Sequence, residues 1–124
     1  MSVADVANGL VGLCRQGQFA EALDQYYSDD IVSIEPVGSP EMPARQEGIE
    51  AVRAKNQWWV DNHEIHEVIV EGPYVGETQF AVRFTMDVTA KHLGQRMKMT
   101  EMALYTVAGD KISQEEFYYH MPGQ

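Results

Sequence analysis

The sequence predicts an α+β fold: a cone-shaped α+β barrel in which three N-terminal helices pack on a curved, mostly antiparallel sheet and enclose a pocket. Three observations carry this. Apolar residues recur at helical spacing through the first half of the chain, the pattern turns to alternation after residue 63, and no internal repeat or linker separates the two halves. Helices first and strands afterwards mark an α+β arrangement rather than repeated βαβ units. A twisted sheet with helices laid on one face leaves a concave interior for side chains or a ligand.

Each element follows from local pattern. Val3, Val6, Ala7, Leu10, Leu13 and Cys14 share a helical face, and Arg15-Gln16-Gly17-Gln18 supplies a glycine to end it. Phe19, Ala22, Leu23 and Tyr26 repeat the pattern until Ser28-Asp29-Asp30 interrupts it. Ile31 to Glu35 reads as a short strand by its β-branched content. Three prolines and a glycine between Pro36 and Pro43 predict a loop, after which a third helix carries Ile49, Val52, Asn56, Trp59 and His63 near one face. Ile65 to Glu71 alternates up to a Gly72-Pro73 turn signal. Phe80, Val82, Phe84, Met86 and Val88 form the apolar face of the next strand, and Lys91 to Gln95 connects it onward. Met97, Met99, Glu101, Ala103, Tyr105 and Val107 share a face, and Ala108-Gly109-Asp110 turns into a last strand from Ile112 to His120.

A chain of 124 residues fits one domain, taken as 1–124. Its net charge of -10, with nine scattered Lys and Arg, argues against a nucleic-acid partner. The single cysteine, Cys14, excludes an internal disulfide and reads as a buried thiol. The N-terminus lacks a basic region followed by an apolar run, and no segment approaches a membrane span, which predicts a cytoplasmic protein without a membrane partner. Glycine-rich phosphate loops and the nucleophile elbow are absent, so no cofactor is expected.

Two glutamates stand out. Pro36 forces Glu35 into extended backbone at a strand-loop corner over an apolar surface, a position suited to a catalytic base. Glu101 lies in phase with Met97, Met99, Ala103 and Tyr105 on the core face. It is paired with a cation, for which Arg45 and Arg53 are the candidates, or held neutral by desolvation, or open to a solvated pocket. Of the adjacent Glu115 and Glu116, one must point inward, and we favour Glu115 together with Phe117 and Tyr119. In His63-Glu64-Ile65-His66 the histidines are three apart where the zinc-protease helix needs four, so no metal site is expected. His66, in strand phase with Val68 and Val70, reads as a cavity-lining polar anchor or a bonded core histidine. Of Trp58 and Trp59 only one can face inward. The expected pocket lining is Tyr26, Trp59, His66, Phe80, Val82, Phe84, Met99, Glu115, Phe117 and Tyr119.

The order of elements resembles the nuclear transport factor two-like superfamily and, within it, the SnoaL-like proteins. The telling stretches are Tyr27-Ser28-Asp29-Asp30-Ile31-Val32, Ile34-Glu35-Pro36-Val37-Gly38, Gly48-Ile49-Glu50-Ala51-Val52, Asn56 through Glu64, and Ala103-Leu104-Tyr105-Thr106 through Lys111-Ile112. Glu35-Pro36-Val37-Gly38 is similar to the corner that holds the catalytic aspartate of ketosteroid isomerase, which implies Glu35 as proton-shuttling base. By position, the resemblance implies Glu101 as the neutral acid that donates to the substrate oxyanion. Where that enzyme class has an oxyanion tyrosine on the first helix, this chain has Leu10, a departure that argues against steroid isomerase activity itself.

The leading expectation is therefore a pocket enzyme of isomerase, cyclase or dehydratase type, using acid-base chemistry on a small, apolar carbonyl compound. The alternative is a non-catalytic ligand-binding or dimerisation module of the same fold, and a third class binds a larger protein through Met102 and Leu104. That second apolar face predicts a homodimer.

Overall fold

The computed structural model of the protein describes residues 1–120. Helix α1 (Val3–Arg15) begins at a reciprocal cap: Ser2 Oγ accepts from the Asp5 N–H, and the Asp5 carboxylate accepts from the Ser2 N–H. It buries Val6, Ala7, Leu10, Val11 and Cys14. Helix α2 (Phe19–Tyr26) follows at once and buries Ala22 and Leu23. The two helices close tightly at Gly9, where an added Cβ would lie 1.9 Å from the Tyr26 hydroxyl oxygen. At the other end of α1 the Arg15 guanidinium donates to the Val70 and Gly72 carbonyls, tying the helix to the sheet.

Strands β1 (Tyr27–Ile34), β2 (Arg45–Glu47), β3 (His63–Val75), β4 (Gln79–Ala90), β5 (Gln95–Ala108) and β6 (Lys111–Tyr118) form one sheet, with α3 (Ile49–Asn62) between β2 and β3. The order is β2-β1-β6-β5-β4-β3, so β2 and β3 are edges and the barrel does not close. β1 pairs with β6 in parallel and every other pair is antiparallel. The core is the concave face of β1, β4, β5 and β6 under α1 and α2, built on Val82, Val88, Phe80, Ile112 and Ile31. The aromatic rings of Phe80 and Tyr105 stack at 4.8 Å within it.

Several boundaries differ from those expected: His63, expected on the third helix, opens β3, and β6 ends at Tyr118 rather than His120. Ser28-Asp29-Asp30 lies beyond the end of α2 as expected, but the strand begins earlier than Ile31 and includes that stretch: β1 starts at Tyr27, and its register on β6 shifts between Tyr27 and Val32 where the exposed aspartates lie. Gly72-Pro73 is not a hairpin turn: β3 continues to Val75, with the irregularity taken up as a register shift between Glu71 and Tyr74. Strand β2 has only three residues and no apolar alternation, and it exists because β1 pairs with it.

Candidate functional site

A cavity of about 160 Å³ lies between the concave sheet face and the three helices. Backbone periodicity delivers its polar groups. Along β1, alternation places Ile31 and Ser33 on the inner face, and Glu35 follows in the same phase just beyond the strand. The Glu35 N–H donates to the Ala44 carbonyl at 2.8 Å, which holds the corner before Pro36. On α3, Val52, Lys55, Asn56 and Trp59 recur three and four apart and line the same space. β5 contributes Glu101 and Tyr105, with the small Ala103 between them, and β4 contributes Phe84 and Met86. The pairings Ser33 with Glu115, Glu115 with Tyr105, and Tyr105 with Phe80 form one rung across four strands, while Phe84 lies opposite Glu101.

A polar network runs along one end of the cavity. Glu115, 4% exposed, accepts from Ser33 Oγ at 2.7 Å through Oε2 and from the Tyr27 hydroxyl through Oε1. Lys55 Nζ donates to Ser33 Oγ at 2.5 Å, lies 3.6 Å from Glu35 Oε2, and sits 5.5 Å from the Phe117 ring centroid. Glu35 Oε1 accepts from the Tyr119 hydroxyl at 3.1 Å, whereas its Oε2, though buried, makes no hydrogen bond. Glu101 has no hydrogen-bond partner among the described residues.

Burial governs the protonation of this end. Desolvation, helped by the nearby charges of Glu35 and Glu115, lifts the Glu101 carboxyl from 4.5 to about 8, so it carries a proton at neutral pH. Burial raises Glu115 as well, opposed by Lys55 and by the Ser33 and Tyr27 hydroxyls. Tyr119 is pushed up by burial and by the charge of Glu35, and stays a donor. Cys14, on the cavity floor, is raised to about 12 by burial and by Glu115, which makes it an inert thiol.

The structure brings together Glu35, Glu101, Trp59, Phe84, Glu115 and Phe117 of the expected residues, all of which line the cavity. Tyr119 joins indirectly by its bond to Glu35. Tyr26 instead packs over Gly9 and supports the helix pair. Phe80 and Val82 are buried in the core one layer beyond the cavity lining, and Met99 packs against that core from a half-buried position opposite Met86. His66 is exposed and bonds Thr89 Oγ1 at 2.7 Å, because a register shift between Ile65 and Glu67 takes it out of phase with Val68 and Val70. The expected arginine partners of Glu101 are elsewhere: Arg45 pairs with Glu47 and Arg53 with Asp24, both at the surface.

Sequence reasoning missed Lys55, Ser33 and Tyr27. The one available signal was that Lys55 lies three residues after Val52 on the helix's inner face, an uncommon place for a lysine without a carboxylate partner. Of the two tryptophans, Trp59 turns inward and stacks on His63 at 4.3 Å, while Trp58 stays exposed. Among the described residues no three His, Cys, Asp or Glu side chains are arranged to hold a metal ion, and no helix is long and apolar enough to cross a membrane.

An open six-stranded sheet wrapped around a cavity with carboxyls on its inner face defines a cone-shaped α+β pocket protein. Residues 1–119 match the SnoaL-like domain, and the chain belongs to that family. A solved structure from Mesorhizobium loti, provisionally named a SnoaL-like polyketide cyclase with carbohydrate phosphatase as a second name, is 48% identical over 96% of this chain and 100% of its own, with a TM-score of 0.91. An NTF2-like protein from Anabaena variabilis shares the fold at 19% identity, covering 98% of this chain and 91% of that one, with a TM-score of 0.77. A Bacillus subtilis protein provisionally named an isomerase does so at 11% identity, 95% and 86% coverage and a TM-score of 0.72. A search of the curated proteins finds no match.

Proposed function

We infer that the chain is an acid-base catalyst of isomerase, cyclase or dehydratase type, acting on a small, largely apolar carbonyl compound as a cytoplasmic homodimer. Glu35 takes a proton from the carbon beside the carbonyl, and the protonated Glu101 donates a hydrogen bond to the oxygen as it becomes an enolate. The observation that carries this reading is the placement of Glu101, which lines the same cavity as Glu35 and has no hydrogen-bond partner among the described residues, in surroundings whose desolvation pushes its carboxyl up to about 8. A neutral acid is what an enolate needs, since an ionised one would repel it. The cyclase name of the Mesorhizobium loti relative agrees with chemistry at a carbonyl. Leu10 lines the cavity where the family resemblance implies a tyrosine donor, so Glu101 carries the oxyanion alone or with a reoriented Tyr119.

The test needs no knowledge of the natural substrate. The protein is incubated in heavy water with a panel of small cyclic ketones, and loss of the α-proton signal is followed by NMR. Enhanced exchange that disappears in Glu35→Gln supports the reading. A folded protein that binds a ketone without accelerating exchange is instead a non-catalytic ligand-binding module. That second reading draws on the contacts of Glu35 with Lys55 and Tyr119, which also suit a structural ion network. Dimerisation is supported by the outer sheet face, where Ile69, Tyr74, Met102 and Tyr118 lie exposed around the half-buried Leu104.

A further inference from the structure

The size and charge of the cavity narrow its ligand beyond a carbonyl compound. Its volume of about 160 Å³ is close to the cavity of about 150 Å³ that holds one benzene molecule in an apolar protein core, although this one opens to solvent on one side. The floor is Leu10, Leu23 and Val52, each at most 5% exposed, and these side chains cannot withdraw without opening the core. Flat rings form the walls: Phe19, Trp59, Phe84 and Phe117. A planar ring fits such walls, and a chain of sugar hydroxyls does not, because hydroxyls buried against them would lack partners.

Charge is the second constraint. Among the described residues Lys55 is the one cationic side chain lining the cavity, and its ammonium is already engaged by Ser33, Glu35 and the Phe117 face. Glu35, Glu101 and Glu115 line the same end. A carboxylate or phosphate brought there would meet acidic oxygens and, among the described residues, no free cation, so its lost hydration would go uncompensated. A neutral carbonyl has no such cost, and it can accept from Glu101, which otherwise has no partner among the described residues.

We propose that this cavity binds a neutral ketone or aldehyde built on one ring or two fused rings, and that it rejects four-ring compounds, carboxylates and phosphate esters. The inference rests on this cavity being the site of the carbonyl chemistry set out above, but it concerns binding and is read separately from turnover.

The chain has two tryptophans, and the exposed Trp58 can be replaced to leave Trp59, in the cavity wall, as sole reporter. Trp58→Phe protein is titrated with acetophenone, 1-tetralone, a four-ring steroid ketone, benzoate and phenyl phosphate, following Trp59 fluorescence. The two small ketones are expected to saturate with dissociation constants below about 1 mM, as suits ligands of about ten heavy atoms. The steroid, benzoate and phenyl phosphate are expected to bind at least tenfold more weakly. Ala22→Leu on the cavity wall, checked for an unchanged circular dichroism spectrum, is expected to weaken 1-tetralone more than acetophenone; equal weakening or none would overturn the placement of the ring in this cavity. A steroid or phosphate that binds as tightly as 1-tetralone overturns the inference, as does failure of both small ketones to bind. Correct size selection without α-proton exchange removes the acid-base reading and leaves this one standing, whereas exchange on four-ring ketones does the reverse.

Discussion

Replacing Glu101 by glutamine should make the protein more stable, and by an amount that grows with pH. The folded state holds this carboxyl at about 8, mainly through desolvation, against 4.5 for the free group. Below pH 4.5 the group is protonated in both states and contributes nothing to the pH dependence. Between 4.5 and about 8 the unfolded chain releases the proton while the folded chain keeps it, so folding loses about 1.4 kcal/mol for each pH unit. Above that window the loss levels off at about 4 to 5 kcal/mol. Glutamine is nearly the same shape and does not titrate, so the variant escapes the whole penalty. For a domain of this size each kcal/mol moves the melting temperature by roughly 3 to 6 °C. Urea denaturation of both proteins from pH 5 to 9 measures the difference directly. It should start small at pH 5 and widen steadily to a plateau near pH 8.5. A difference that stays flat across that range would mean Glu101 titrates like an exposed carboxylate and is no neutral donor at pH 7.

Other expectations follow from the same geometry. Glu35→Gln should lower α-proton exchange by about two to four orders of magnitude while leaving the melting temperature within a few degrees; a sharp drop in melting temperature with exchange intact would make the residue structural. Lys55→Met strips an ammonium that faces Glu35 and, through Ser33, the buried Glu115, so unlike Glu35→Gln it leaves two carboxyls without their cation and should cost about 3 kcal/mol in urea unfolding at pH 7, and a loss under about 0.5 kcal/mol would show that the pair is solvated. His66→Ala removes only a surface bond to Thr89, so stability and exchange should match the parent within error; a large loss of exchange would put this histidine back in the site. Sedimentation velocity at micromolar concentration should report twice the chain mass, and a monomer would leave the outer sheet face without the partner assigned to it.

The sequence was most informative where burial repeats with a regular period. The inner faces of β4 and β5 were legible because Phe80 to Val88 and Met97 to Val107 keep strict alternation and pair residue for residue, and that of α1 was legible except for Val11, which is buried where Leu13 was expected to be. Legibility failed at irregularities. Register shifts in β1 and β3 change which side chains point inward without any change in composition, which is how His66 left the cavity. In β6 the shift opposite Thr106 and Val107 lets Ile112 and Glu115 both be buried, although they are out of phase by simple counting. Nonlocal pairing was hidden as well, since β2 and the parallel β1–β6 contact depend on partners far along the chain. Glu35 and Glu101 were visible because an acidic residue in an apolar pattern is conspicuous. Lys55 was not, because a lysine one turn from a valine on a helix ordinarily snorkels to water.

The contact between Gly9 and Tyr26 bears on the cavity although neither residue lines it. Each sits one position or one turn away from residues that do: Gly9 precedes Leu10 on α1, and Tyr26 lies three residues beyond Leu23 on α2. With no side chain at position 9 the tyrosine ring slides over the backbone of α1, and the spacing of the two helices sets how deep the floor between Leu10 and Leu23 lies. A Cβ there would fall on the end of the tyrosine ring, so either the ring or the helix spacing would have to give way. The helix crossing thus bears on the depth of the cavity from behind, through two residues that belong to neither the cavity lining nor the sheet.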